Sequence, residues 1–183
     1  DQYGLSTIEG FCFNNNGTKA YAVDSFHARV IQYTLTSAYD VTTLLYSKEL
    51  DISARGTGPV AITFNNDGTK MYIIENGGNS DASPIIAAAK IDEYAVSSAY
   101  DIATATYTDS LDVSAQDANM KDLYFNDVAR GAVDAGKLLF VVGDDGNDVN
   151  EYLLTTAYDV STASFVDAYV TGGEDTKPRA LAF

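Results

Sequence analysis

Asn65-Asn66-Asp67-Gly68-Thr69-Lys70-Met71-Tyr72-Ile73-Ile74, with Ser98-Ala99-Tyr100-Asp101-Ile102-Ala103-Thr104 downstream of it, recurs three times with small changes. The other copies are NNNGTKAYAV over 14–23 followed by SAYDVTT over 37–43, and a worn DAGKLLFVV over 134–142 followed by TAYDVST over 156–162. Asn and Asp bind their own backbone in turns, and Gly68 supplies the positive φ that a tight hairpin needs, so the first motif reads as strand, turn, strand. Tyr33, Tyr94 and Tyr152 are each followed after 31 residues by Phe64, Phe125 and Phe183, and after 6 by Tyr39, Tyr100 and Tyr158. That spacing marks a repeat of about 51 residues with extra residues at two loops.

The central copy gives the anatomy of one unit. Val60 to Phe64 is an apolar run suited to an innermost strand, and Lys70 to Ile74 returns beside it. Ile91 to Val96 alternates apolar and polar in a period of two, and Ala105 to Leu111 follows the Ser-Ala-Tyr-Asp connection. Four antiparallel strands make a propeller blade. The expected fold is therefore all-β: a β-propeller of four-stranded antiparallel blades, with three blades plus the first strand of a fourth, part of a larger ring. The blade limits read as 1–58 with an entry segment, 59–118, 119–177, and 178–183 for the further opening strand, since Arg179-Ala180-Leu181-Ala182-Phe183 aligns with Val60 to Phe64. Three blades leave sheet edges unpaired, so the expectation is a segment of a longer polypeptide.

A formal charge of −15, with 11 Lys and Arg spread along the chain, repels polyphosphates at long range, so neither nucleic acid nor an anionic membrane surface is an expected partner. No apolar run is long enough to span a bilayer. Cys12, the single cysteine, sits in a strand and reads as a small packing residue.

Residues repeated in every unit read as scaffold, and departures from the repeat carry the functional signal. Asp40, Asp101 and Asp159 are expected to accept backbone amides two residues on. The second unit has a ten-residue excess within 76–89 and the third a six-residue excess within 126–136, on opposite rims. In the former, Pro84, Ile85, Ile86, Ala87 and Ala88 either prolong the hairpin or form a contact covered by another subunit or domain. Asp144, Asp145 and Asp148 gather three carboxylates in a turn, which reads either as a polar hairpin or as a metal site for Ca²⁺, without the spacing of an EF-hand. No other cofactor is expected. Asp24, Glu75 and Asp144 fall at related positions and suggest an acidic ring facing a central channel. His27 is the only histidine, which leaves little for nucleophilic or zinc catalysis.

These residues resemble two groups of repeats. Asn65 to Tyr72 and Asn14 to Tyr21 are similar to the core of YVTN and lactonase-like propeller repeats, with Asn in place of Pro and a Thr inserted before Lys. DGTKMY with AYDVST resembles, more closely, a repeat of extracellular and virion structural proteins of marine bacteria and their phages. That resemblance implies a non-enzymatic structural or adhesive module at a virion surface or outside the cell. Its rim loops would make multivalent contact with other subunits or domains of the same assembly, or with a host-surface glycan or protein. The alternative is a lactonase-like, Ca-dependent propeller hydrolase.

Overall fold

The computed structural model describes residues 7–76, 88–171, 173 and 177–181. Three four-stranded antiparallel meanders follow one another: β1 (Ile8–Phe13), β2 (Lys19–Asp24), β3 (Arg29–Leu35) and β4 (Leu44–Asp51); then β5 (Pro59–Phe64), β6 (Lys70–Glu75), β7 (Lys90–Val96) and β8 (Ala105–Asp112); then β9 (Met120–Phe125), β10 (Leu138–Gly143), β11 (Asp148–Leu154) and β12 (Ala163–Val170). The first strands neighbour one another, β1 against β5 and β5 against β9, so the sheets are arrayed as propeller blades about an inner edge. Irregularities recur at equivalent places, between Gln32 and Tyr33, Glu93 and Tyr94, and Glu151 and Tyr152.

Each Ala-Tyr-Asp turn is built the same way. The tyrosine takes φ near +60°, at 60°, 59° and 60° for Tyr39, Tyr100 and Tyr158. Its ring lies over the turn glycine of its own blade, so that a Cβ on Gly17, Gly68 or Gly136 would overlap it. The following aspartate caps a short 3₁₀ turn, accepting from Thr42 N (3.0 Å), Ala103 N (3.1 Å) and Ser161 N (3.2 Å) as the sequence anticipates.

The same turn receives the preceding blade. Tyr21 Oη and Lys19 Nζ donate to the carbonyl of Tyr100 at 2.7 and 2.9 Å. One blade on, Tyr72 Oη and Lys70 Nζ donate to the carbonyl of Tyr158 at 2.7 and 2.8 Å. Beside these bonds Gln32 Oε1 accepts the Ile102 N–H and Glu93 Oε2 the Val160 N–H. Tyr21 packs on Phe64 and Tyr72 on Phe125, with ring centroids 4.5 and 4.6 Å apart. The apolar cores lie between blades, with Ile62, Met71, Ile73 and Val96 facing the first blade and Ile74, Ile91, Leu123 and Val141 at the second junction.

Two expectations change in detail. Leu138 pairs with Leu153 as Lys70 pairs with Ala95, so Lys137 stands one place earlier than the other lysines, where Thr18 and Thr69 stand, and the third blade presents Leu138 and Phe140 instead of Lys and Tyr. The longer 126–137 connection shifts the motif against the ladder. The opening strand expected over 178–183 is not a strand in its described part: residues 177–181 carry no ladder, and Leu181 N–H donates to Asp122 Oδ2 at 2.9 Å. An inner strand pairs with the second strand of its own sheet, which this stretch does not have among the described residues.

Removing only the hydroxyl in Tyr72→Phe is expected to cost about 1 kcal/mol in urea unfolding. Gly68→Ala is expected to cost about 2 kcal/mol or more, because the positive φ and the Tyr100 ring both oppose a Cβ. An unfolding midpoint unchanged by Tyr72→Phe would mean that the bond to Tyr158 contributes nothing.

Candidate functional site

The inner strands should be apolar, and β5 is, with Val60, Ala61 and Ile62 in sequence. At the matching height β1 carries Glu9 and β9 carries Lys121 and Asp122, while Arg179 aligns with Val60 from the stretch beyond β12. Together Glu9, Phe11, Ile62, Lys121, Asp122 and Arg179 line a cleft of about 200 Å³ between the inner strands. The channel position therefore holds Glu9, Val60, Lys121 and Arg179 around its wall, of mixed sign and not the acidic ring expected.

Two cations meet one carboxylate here. Lys121 Nζ and Arg179 Nη2 each lie 3.4 Å from Asp144 Oδ2, and Lys121 Nζ also donates to Asn119 Oδ1 at 2.7 Å. Asp122 is held by the N–H groups of Leu181 and Leu123, while burial raises its carboxyl above the usual range. Cations at ion-pair distance can receive an anionic oxygen, and a carboxylate with a raised proton affinity can take a proton from water.

The three carboxylates proposed for Ca²⁺ part company. Asp144 turns to the cleft and its cations, Asp145 is exposed, and Asp148 accepts from Asn150 Nδ2 at 2.7 Å. Among the described residues no group of three or more His, Cys, Asp or Glu comes together that could hold a metal. Pro84, Ile85, Ile86 and Ala87 lie outside the described residues; Ala88 is exposed and the next residue, Ala89, is buried.

Asp24 and Glu75 do not face the channel. They pair across to Ile8 and Pro59, the place that Gly143 takes opposite Met120, so Asp144 is one residue out of register with them. Both are buried, at 0% and 2% exposure. Asp24 is saturated: it accepts from the N–H groups of Phe26 and His27, from His27 Nδ1 at 2.8 Å and from Arg29 Nε at 3.1 Å. Although burial opposes ionisation, those bonds hold its carboxyl below the usual range. His27 is thus fixed on the rim by a buried carboxylate.

The third blade keeps the carboxylate but supplies it from the other side. A Cβ at Gly56 would overlap the Glu75 carboxylate, and a Cβ at Gly143 would overlap that of Asp117. Gly56 and Asp117 precede their first strands by the same three residues, so Glu75 with Gly56 in one blade is exchanged for Asp117 with Gly143 in the next. Asp117 accepts from Asn119 N (2.6 Å), Asp145 N (3.2 Å) and Gly146 N (3.1 Å), fixing the turn that carries Asp144. Burial drives the Glu75 carboxyl up to about 7, against the Gly58 N–H, with Asp92 adding to the rise and Lys90 and Arg55 opposing it. Cys12 packs against the first core, and burial pushes its thiol up to about 12, far from a reactive thiolate.

Of the groups gathered at the cleft, Asp144 was a sequence candidate, for a metal, whereas Lys121, Asp122 and Arg179 were not, although a signal was present: Lys121 and Asp122 interrupt a strand that is apolar in the central blade. The sequence matches no family model and no curated protein. Solved structures do resemble it. A candidate 6-phosphogluconolactonase from Bacteroides uniformis aligns over 90% of this chain and 41% of its own, with 17% identity and a TM-score of 0.59. A second candidate 6-phosphogluconolactonase, from Bacteroides fragilis, aligns over 89% and 38% with 16% identity and a TM-score of 0.59. The periplasmic gluconolactonase of Pseudomonas aeruginosa aligns over 90% and 39% with 12% identity and a TM-score of 0.53. At these identities the likeness shows the propeller fold, and the chain spans about two fifths of the length of those proteins. The enzyme names that these neighbours carry, two candidate 6-phosphogluconolactonases and a gluconolactonase, count against the expected non-enzymatic adhesive or virion module and on the side of its alternative.

Asp117→Ala strips three amides of their acceptor. It is expected to cost about 2–3 kcal/mol in denaturant unfolding and to speed amide exchange at Asp145 and Gly146. Wild-type exchange at both amides would show that Asp117 does not set this turn.

Proposed function

We propose that the chain forms part of a lactonase-like propeller hydrolase whose reaction takes place in the axial cleft. The observation that carries this reading is the conversion of an apolar inner-strand position into Lys121 and Asp122, with Arg179 and Asp144 closing on them. Hydrolysis of a cyclic ester needs an electrophile-stabilising group at the carbonyl oxygen and a base for water. In the proposed step Lys121 and Arg179 donate to the carbonyl oxygen, and Asp122 takes a proton from the attacking water as its oxygen bonds to the carbonyl carbon. The ring C–O bond then breaks, and the proton passes to the departing alkoxide. The product is the open hydroxy acid, with atoms and charge conserved. The named lactonases among the similar structures support sugar-acid lactones as the first substrates to test.

The test is acid release in a pH-stat with gluconolactone and its 6-phosphate, each corrected for spontaneous opening. The protein is expected to accelerate at least one of them, with Lys121→Met and Arg179→Gln lowering kcat/KM by about 10- to 100-fold. Opening no faster than in buffer alone for both lactones would refute the proposal, as would variants as fast as the wild type.

A further inference from the structure

The two junctions inside this molecule share one set of contacts, and the first blade carries the receiving half of that set a third time. Val41 follows its capping aspartate as Ile102 and Val160 follow theirs, yet it is 56% exposed where both of those are fully buried. Phe11 pairs across to Ala22 as Ile62 pairs to Ile73 and Leu123 to Val141, and it is 45% exposed against 5% and 4%. Tyr39 repeats the positive φ of Tyr100 and Tyr158. Among the described residues nothing donates to the Tyr39 carbonyl and nothing accepts the Val41 N–H. Backbone groups set for hydrogen bonds beside exposed apolar side chains mark an interaction surface.

What fits that surface is read from the two filled junctions. The blade on the Tyr100 turn brings Lys19 and Tyr21, two residues apart on its second strand, to the carbonyl, and Gln32, which pairs with Tyr21, to the Ile102 N–H. The blade on the Tyr158 turn brings Lys70, Tyr72 and Glu93 in the same register. The third blade keeps the last member of this set, since Glu151 pairs with Phe140 in the place of Glu93, but Leu138 and Phe140 have neither ammonium nor hydroxyl. Asp122 alternates with Leu123, which packs toward the second blade, so it lies on the third blade's far face, and there it already holds Leu181. A second copy of this chain, offering its third blade, would bring no such donors to Tyr39 and would carry residues 177–181 on the face it has to use.

We propose that the outer face of the first blade is a docking surface for a further blade with Lys and Tyr two apart on its second strand and Gln or Glu opposite that Tyr on its third, and that the third blade of a second copy is not its mate. The ammonium and the hydroxyl donate to the Tyr39 carbonyl, and the third-strand side chain accepts the Val41 N–H. The incoming tyrosine ring lies on Phe13, whose centroid is 5.4 Å from that of Tyr39, as Phe64 is 5.4 Å from Tyr100. Two copies of three blades therefore do not close on each other.

The experiment adds a blade ahead of Ile8, in place of residues 1–7, because Ile8 stands where Pro59 and Met120 stand. One extended chain receives a copy of residues 59–119, with Lys70, Tyr72 and Glu93; the other receives a copy of residues 120–177, with Leu138, Phe140 and Glu151. Amide exchange at Val41 is read in both and in the unextended chain. Under the second-blade copy Val41 is expected to exchange about 100-fold or more slower than in the unextended chain, and about tenfold slower than under the third-blade copy. Exchange at the unextended rate beneath the second-blade copy, or equal protection by both copies, would overturn the proposal. Sedimentation of the unextended chain decides the matter if neither extension folds. A single-chain mass at every concentration supports the proposal, and a dimer in which Val41 is protected overturns it.

Discussion

The tyrosine carbonyl of the Ala-Tyr-Asp turn, at Tyr100 and again at Tyr158, is the joint between successive blades of this molecule. The positive φ of Tyr100 and Tyr158 presents that carbonyl to the preceding blade, where a hydroxyl and an ammonium donate to it together. The ring of the same tyrosine covers the hairpin glycine of its own blade. One residue thereby ties its blade internally through its side chain and externally through its backbone. A charge-assisted bond and a buried hydroxyl bond at one acceptor are each stronger than an average hydrogen bond in water-exposed structure. The interblade cores then fill the space that these bonds fix.

The fold was legible because this joint leaves its parts at fixed spacing. Gly needs to lie under Tyr, Lys and Tyr need to alternate on one face of the second strand, and Asp needs to follow Tyr to cap the 3₁₀ turn. Those demands produce the NNDGTKMY and AYD motifs. The third blade shows where such reading fails. Lys137 looked equivalent to Lys70, but the longer loop moves the sequence one step along the ladder, and only the pairing of Leu138 with Leu153 reveals it. A one-residue shift reverses every side chain, so motif alignment without register is ambiguous at that point.

The site was less legible, because it is assembled from inner-strand residues far apart in sequence. Asp144, Asp145 and Asp148 are adjacent in the chain, yet their side chains go to a cation pair, to solvent and to Asn150. Conversely Lys121 and Arg179 are 58 residues apart and share one carboxylate. The exchange of Glu75 with Gly56 for Asp117 with Gly143 was equally hidden, since neither residue alone looks like a substitute for the other. What the sequence did expose was the change of character along β9, an apolar strand position turned ionic.

The joint can be examined directly by amide hydrogen exchange at three equivalent positions, the residue after the capping aspartate. Ile102 and Val160 donate to Gln32 and Glu93 of the blade before them, whereas Val41, at 56% exposure, has no such acceptor among the described residues. Protection of Ile102 and Val160 approaching that of global unfolding, with Val41 exchanging near the unprotected rate, is the result this account predicts. Equal protection at all three, or rapid exchange at Ile102 and Val160, would contradict it.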